Sequence, residues 1–307
     1  MPNSLMQEPV LQSVPSPDER GPAFYRDLAL TANWVRRKIV DMAVYAKSGH
    51  VTTAFSQTDV LVAMYLGGIM RSDPSQPEWP DRDRFVISKG QGGIGLYAVL
   101  GKAGYFPLTE LDNFCGVGSH LGVHAEAGVP GIEVLSGSLG HGLPIATGIA
   151  QVGKNENRDW LVYCMTGDAE LYEGSNWEAA TYAGSAELSN LVVVVDRNQQ
   201  GVLGFSDDIQ SAKDGPRTES LDEKFQAFGF DTHRFNGHDF EQIFKAFDGV
   251  RERKSRKPLC LIADTIKGKG SAVMENQRLW HYRVPAGEEL DQVYADLEAE
   301  RKAIAGE

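Results

Sequence analysis

Gly167-Asp168-Ala169-Glu170, then an Ala-rich run, then Val192-Val193-Val194-Val195-Asp196-Arg197-Asn198: this stretch decides the fold. An acidic residue leaves one apolar strand, and a carboxamide thirty positions later leaves the next. That spacing is one βαβ unit, which delivers both side chains to the same edge of a parallel sheet. Two readings stay open for the pair. A hard divalent cation such as Mg²⁺ takes carboxylate, carboxamide and carbonyl oxygens and completes its shell with phosphate and water, which makes the pair a metal–diphosphate anchor. Asp in a βα turn also serves simply as a helix cap.

Outward from this unit, strands and helices alternate. Trp160–Thr166 and Leu191–Val195 are continuous apolar runs of the buried parallel-strand type, with a helix over Asn176–Ala186 between them. Upstream, the apolar spacing predicts a helix from Tyr25 to Lys47 that stops near Gly49. A second helix is expected after Ser56, where Ser56-Gln57-Thr58-Asp59 has the form of a capping box. Arg84–Ser88 reads as a strand, followed by a Gly-rich turn and a helix to Ala103, and Gly140–Gly153 as another helix. Leu111–Gly137 is long for a bare connection, the kind of loop that carries function. Beyond a polar loop (Gly201–Thr218), Leu221–Phe228 and Phe240–Val250 read as helices, and Phe230–Phe235 and Leu259–Asp264 as strands. The expected organisation is a flexible lead-in over residues 1–20, one doubly wound α/β domain over 21–285, and a C-terminal surface helix within 286–307.

The 307 residues are 42% hydrophobic and 23% charged, ordinary for a globular protein with a substantial core. A net charge of −12 argues against a nucleic-acid or acidic-membrane surface, and no apolar run is long enough to span a bilayer. Three scattered cysteines form neither a disulfide framework nor a zinc pattern, and Cys164 and Cys260 read as packed small hydrophobes. With no signal-peptide pattern near the N-terminus, the expected setting is cytoplasmic.

A series of short motifs runs along the chain in order. They are Ser48-Gly49-His50, Ser88-Lys89-Gly90, Val123-His124-Ala125-Glu126, Pro130-Gly131-Ile132-Glu133 and Ser136-Gly137-Ser138-Leu139-Gly140-His141-Gly142. Gly167 through Ala180, Val195-Asp196-Arg197-Asn198, Lys267-Gly268-Lys269-Gly270, Met274-Glu275-Asn276 and Trp280-His281 continue the series. Together they resemble the amino-terminal, diphosphate-binding half of transketolases, which implies thiamine diphosphate held through Mg²⁺ or Ca²⁺. Asp168 and Asn198 would supply side-chain oxygens, the main-chain carbonyl of Gln200 would add a third ligand, and Gly167 and Ala169 would allow close backbone approach to the diphosphate. Leu139 and Gly137 would lie against the thiazolium and the aminopyrimidine, and His50, His124 and His281 would surround the reactive carbon and the diphosphate. Glu173 resembles a family glutamate at a dimer interface that links two cofactor sites; a first-turn carboxylate favoured by the helix dipole is an equally good reading. Lys267 and Lys269 either flank a Gly-rich loop close to the substrate channel or are exposed loop cations, and the second reading is favoured for their charges.

Several positions depart from the family pattern. Ala169 stands where Gly is usual, Gln91 where His is usual after Ser-Lys-Gly, His141 where Gln is common, and Tyr282 where Gly is expected. Gln91 offers an amide donor but cannot take up a proton or carry a positive charge, so the substrate side is altered more than the cofactor side. The resemblance also implies a missing half, because the glutamate that activates the cofactor belongs to a pyrimidine-binding module for which this chain has no room. The reading is therefore one subunit of a split enzyme that moves a two-carbon ketol unit from a ketose-type donor to an aldehyde, with a partner chain in a 2:2 heterotetramer. Its rivals are an acyloin-forming subunit that uses a 2-oxo acid such as pyruvate, and a non-catalytic scaffold.

Overall fold

The computed structural model describes residues 15–202, 204, 206 and 220–307. Residues 1–14 of the expected lead-in and most of the polar loop after Gly201 lie outside the described residues. The elements are α1 (Pro22–Ala46), α2 (Val51–Tyr65), β1 (Arg84–Ile87), α3 (Gly93–Ala103), α4 (Gly142–Asn155), β2 (Val162–Gly167), α5 (Gly174–Ser185) and β3 (Leu191–Arg197). They continue with α6 (Leu221–Ala227), β4 (Asp231–Asn236), α7 (Phe240–Phe247), β5 (Leu259–Asp264) and α8 (Glu288–Ala305).

The strands form one parallel sheet in the order β1-β2-β3-β5-β4. Although the valine run of β3 is apolar throughout, its residues divide by the two-residue period of a strand. Val192 and Val194 face a core built with α1, α2, α3 and α7, while Val193 and Val195 face a second core built with α4, α5 and α6. Each fully buried Val or Leu contributes about 1.5–3 kcal/mol, so apolarity on both faces stabilises the sheet against both helical layers. Cys164 and Cys260 are buried in the second core, as small hydrophobes.

Helix α2 corrects the expected start after Ser56. It begins at Val51, and all fifteen of its residues are buried. The β-branched run Val51-Thr52-Thr53 has modest helix propensity, but complete burial outweighs a few tenths of a kcal/mol per residue. Ser56 and Asp59 are therefore interior residues rather than a cap. The Ser56 hydroxyl donates to the Asp196 carboxylate (2.6 Å) and Asp59 pairs with Arg36.

The described end of the lead-in and the C-terminal helix are tied to this frame. Arg20, expected in a flexible lead-in, is buried, bridges to Asp248 (2.7 Å) and lies over the Phe244 ring. Helix α8 packs on α1 through Val293 and Leu297, and Asn33 donates to the Leu297 carbonyl (2.8 Å). No helix among the described residues is long and apolar enough to cross a membrane.

Candidate cofactor and active site

Because every strand is parallel, all the loops that follow strand C-termini meet at one edge, where α/β sheets hold ligands. Ser88 and Lys89 follow β1, Asp168 follows β2, Asn198 follows β3, and Thr265 to Lys267 follow β5. Asp168 and Asn198 are 3% and 5% exposed, and Gln200 is 5% exposed. The Asp168 carboxylate accepts from the Gln199 amide (2.9 Å) and the Ser206 hydroxyl (2.7 Å), which ties the β2 exit to the β3 exit. Burial, reinforced by the nearby Asp196 carboxylate, holds Asp168 above the usual carboxylate range against those hydrogen bonds.

Behind this pair lies a buried ion pair that sequence reasoning missed. The Lys89 ammonium bonds the Asp196 carboxylate, which also accepts from Ser56 (2.6 Å) and from Thr265. Burial alone would raise Asp196, but Lys89 and these hydrogen bonds outweigh it and bring it below its ordinary value. The signal was present in Ser88-Lys89-Gly90, yet a partner 107 residues away has no period to reveal it. Glu170 was missed in the same way. Buried, it accepts from Ser88, from the Gly140 amide (2.9 Å) and from the Gly167 amide (3.1 Å), joining three site loops. Burial holds its carboxyl above the usual range despite these donors.

Lys267 corrects the reading of an exposed loop cation. It is 2% exposed, and its ammonium lies 3.4 Å from the Gln200 carbonyl and 2.9 Å from His281 Nδ1. Burial, helped by the Lys89 charge and opposed by Asp168 and Asp196, brings it down to about 8. Lys269 is half-buried near Glu275.

The three nominated histidines come together. The His50 ring centroid lies 5.8 Å from His124 and 5.9 Å from His281, and Tyr282 covers His50 at 4.5 Å. Buried Tyr97 pins the His124 segment by donating to the His124 carbonyl (2.8 Å) and accepting from the Glu126 amide (2.9 Å). Thr52 donates to the Trp280 carbonyl (2.8 Å), fixing the approach to His281. Burial first, then the neighbouring His281 and His124, brings His50 down to about 3, and burial with Lys267 brings His281 down to about 4.

Both rings thus bind a proton more weakly folded than unfolded. Their contribution to stability is complete above about pH 6.5 and is lost as pH falls, toward pH 4 for His281 and pH 3 for His50. The urea midpoint of the chain is expected to fall between pH 6.5 and 4 more steeply than that of a His50→Gln/His281→Gln variant. Parallel curves would refute the assignment.

Glycines make the approach of loops possible. A Cβ at Gly90 would lie 1.4 Å from the Ser136 carbonyl oxygen, and one at Gly93 would lie 2.7 Å from the Ala125 nitrogen. Ala169 finds its space opposite another glycine, because a Cβ at Gly201 would sit 2.9 Å from the Ala169 methyl. Gly201→Ala is therefore expected to destabilise the chain by about 1–3 kcal/mol, an overpacking cost. The same change in an Ala169→Gly background should cost much less. Additive urea midpoints would show that the two positions do not share this space.

The remaining nominated residues are spread around the edge. Gln91 is half-buried in the turn before α3, Leu139 is half-buried and Gly137 exposed in the loop before α4. His141 is exposed at the start of α4, and Glu173 is exposed at the start of α5.

A family model described as the transketolase thiamine diphosphate binding domain matches residues 28–300. The chain belongs to the transketolase family. It is 36% identical over 278 residues to one of the apulose-4-phosphate transketolase subunits of Actinobacillus succinogenes, covering 90% of this chain and 98% of that protein. It is 34% identical over 275 residues to the 6-deoxy-6-sulfo-D-fructose transketolase subunit SqwG of a Clostridium species, covering 89% and 97%. A crystal structure of transketolase from Campylobacter jejuni superposes with a TM-score of 0.78 at 30% identity, covering 91% of this chain but 46% of that one. This transketolase chain is thus an enzyme subunit of the ketol-transferring, thiamine diphosphate-dependent kind, and its α/β fold is the family's.

The donor set suits such a cofactor. No cluster of three or more His, Cys, Asp or Glu that could hold a metal occurs among the described residues. Three buried polar atoms around the transketolase site, His50 Nδ1, Ser136 Oγ and Gln200 Nε2, lack hydrogen-bond partners among the described residues, and a buried orphan is costly unless a ligand meets it. At Gly137 nothing lies within 4 Å of where a Cβ would stand, leaving room along that wall.

Proposed function

We propose that this chain is the diphosphate-binding subunit of a split transketolase-type enzyme. It would transfer a two-carbon ketol unit from a ketose-type donor to an aldehyde acceptor once joined by a pyrimidine-binding subunit. The observation that carries this reading is Asp168, a buried carboxylate at the same sheet edge as Asn198 and Gln200, with no cation at hydrogen-bond distance among the described residues. Asp168 and Asn198 would hold Mg²⁺ or Ca²⁺ by their side chains and Gln200 by its carbonyl. The backbone at Gly167 and Ala169 would face the diphosphate, with Gly137 and Leu139 toward the rings. When bound, thiamine diphosphate supplies the carbon nucleophile that cleaves and re-forms the C–C bond next to a carbonyl.

The residues of this chain bind and orient. His50 and His281 stay neutral at neutral pH; Lys267 donates to His281 Nδ1, which leaves the His281 Nε2–H as a donor to a substrate hydroxyl, and His50 and His124 lie beside it. Lys267 places a cation by the Gln200 carbonyl, where it would offset part of the negative charge of a diphosphate bound near Asp168 and Asp196. Gln91 and Tyr282 distinguish the substrate side, and Glu173 would face the partner.

A second chain would meet the site-side loops. Leu279 precedes Trp280-His281, Leu135 precedes Ser136, and Val202 follows the Gln200 turn; they are 84%, 57% and 75% exposed. Burial of these exposed apolar groups against a partner would favour association. The transketolase subunits of Actinobacillus and Clostridium match this chain along nearly their whole length, which supports a separate second chain. The arrangement we infer is a 2:2 heterotetramer in the cytoplasm.

The donor is tested by comparing kcat/KM for ketose phosphates and pyruvate in the assembled enzyme. Gln91→His is expected to shift preference toward ordinary ketose phosphates by roughly tenfold, the effect of one added charged hydrogen bond. Product from pyruvate and from no ketose would instead assign acyloin formation, and an unchanged ratio would remove Gln91 from specificity.

A further inference from the structure

We propose that His238 and Asp59 are positioning residues that set the loop carrying Lys267 into the site. His238 follows β4, outside every motif that pointed to the cofactor, and its side chain is 9% exposed. Its Nδ1 lies 2.6 Å from Asp59 Oδ2 on α2, and its Nε2 lies 2.8 Å from the Ile266 amide nitrogen. A backbone amide can only donate, so Nε2 accepts; Nδ1 then carries the proton and donates to Asp59. The ring is held in one tautomer from both sides.

Asp59 is itself fixed. The buried Arg36 guanidinium on α1 bonds the same carboxylate oxygen, and the Arg36 and Asp59 side chains are 3% and 6% exposed. Burial would raise Asp59, but Arg36 and His238 together bring it down to about 2. The chain of contacts thus runs from α1 through α2 and the β4 exit to the main chain after β5. At its end, Ile266 has Thr265 on one side, bonded to Asp196, and Lys267 on the other, touching Gln200 and His281. Gly237 allows the two strand exits to meet, since a Cβ there would lie 2.6 Å from the Thr265 methyl.

The neighbouring anchors do not duplicate this one. The Thr265 amide bonds the Arg197 carbonyl and the Gly268 amide bonds the Thr52 carbonyl, while the Ile266 amide between them donates to the His238 side chain. Without that acceptor a backbone N–H is left unsatisfied at the turn that aims Lys267, and the turn must shift to satisfy it.

The test labels the full-length chain with acetic anhydride and follows individual lysines by mass spectrometry. In His238→Phe, which keeps a ring but offers no hydrogen bond, Lys267 is expected to label about tenfold faster than in the unaltered chain, the scale of one lost buried hydrogen bond. Buried Lys89 and exposed Lys302 should keep their rates. His238→Gln, which supplies both a donor and an acceptor, should restore most of the protection. Should His238→Phe not fold, His238→Asn, too short to reach both Asp59 and Ile266, reads the same outcome. Unchanged Lys267 labelling overturns the proposal, and so does a rise shared by Lys89, which would mean general loosening. The value of this positioning to the cofactor rests on the function proposed above. The labelling uses no cofactor, so a failure of that function to appear would leave the positioning result intact.

Discussion

Replacing Asp168 with Ala is expected to abolish Mg²⁺-dependent binding of thiamine diphosphate while leaving the subunit folded. The two halves of this expectation have separate causes. Losing even an outer-shell partner of a metal ligand costs about 10- to 100-fold in affinity, so loss of a charged ligand should exceed the upper end of that range. Stability behaves otherwise because burial and the Asp196 charge already oppose ionisation of Asp168 in the fold. A carboxyl whose pKa is higher folded than unfolded lowers stability at neutral pH. Removing the charge therefore relieves that cost, and Asp168→Asn, which keeps the shape and an oxygen to accept from Ser206, should melt no lower than the unaltered chain. Calorimetric titration with Mg²⁺ and thiamine diphosphate checks the first half and urea unfolding the second. Normal cofactor affinity in either variant would remove Asp168 as a ligand.

Lys89→Met is expected to act in the opposite way, costing about 3–5 kcal/mol of stability, because truncating one partner of a buried ion pair strands the other charge. The Lys89 and Asp196 side chains are 5% and 1% exposed. Asp196 keeps its hydrogen bonds from Ser56 and Thr265 but loses the ammonium that holds it ionised. Asp196→Asn should cost a similar amount by stranding Lys89. The double variant should be less destabilised than the sum of the two, since a buried pair replaced as a pair leaves no orphan charge. Additive urea midpoints would show that the pair is not energetically coupled.

The βαβ unit from Gly167 to Asn198 was legible because its signals are local. Apolar runs bounded by an acid and an amide fix strand ends within a residue or two, and β5 spans Leu259–Asp264, the same six residues that its apolar pattern marks. Helix α2 was less legible. Ser56 and Asp59 have the chemistry of a cap, and only the tertiary structure shows that Asp196 and Arg36 claim them. The motif histidines His50, His124 and His281 could be named from resemblance, and the structure brings their rings together. Lys89–Asp196, Glu170 and Asp59–His238 could not be paired from sequence. Each joins segments brought together by the sheet, and a buried charge looks like a solvated one until its partner is seen. Lys267 shows this most clearly, since its Gly-rich surroundings suggest an exposed loop and its contact with His281 reverses that reading.

On the function proposed here, this chain holds one half of a thiamine diphosphate site and requires a second chain for the other. The most direct test is to purify the chain from its native host, identify by mass spectrometry what accompanies it, and assay ketol transfer with each component alone and together. The expected result is a stoichiometric second chain with a pyrimidine-binding module, no turnover from either chain alone, and thiamine diphosphate-dependent turnover when they are combined. A self-associated chain that binds no thiamine diphosphate, or one that turns over without a partner, would contradict it.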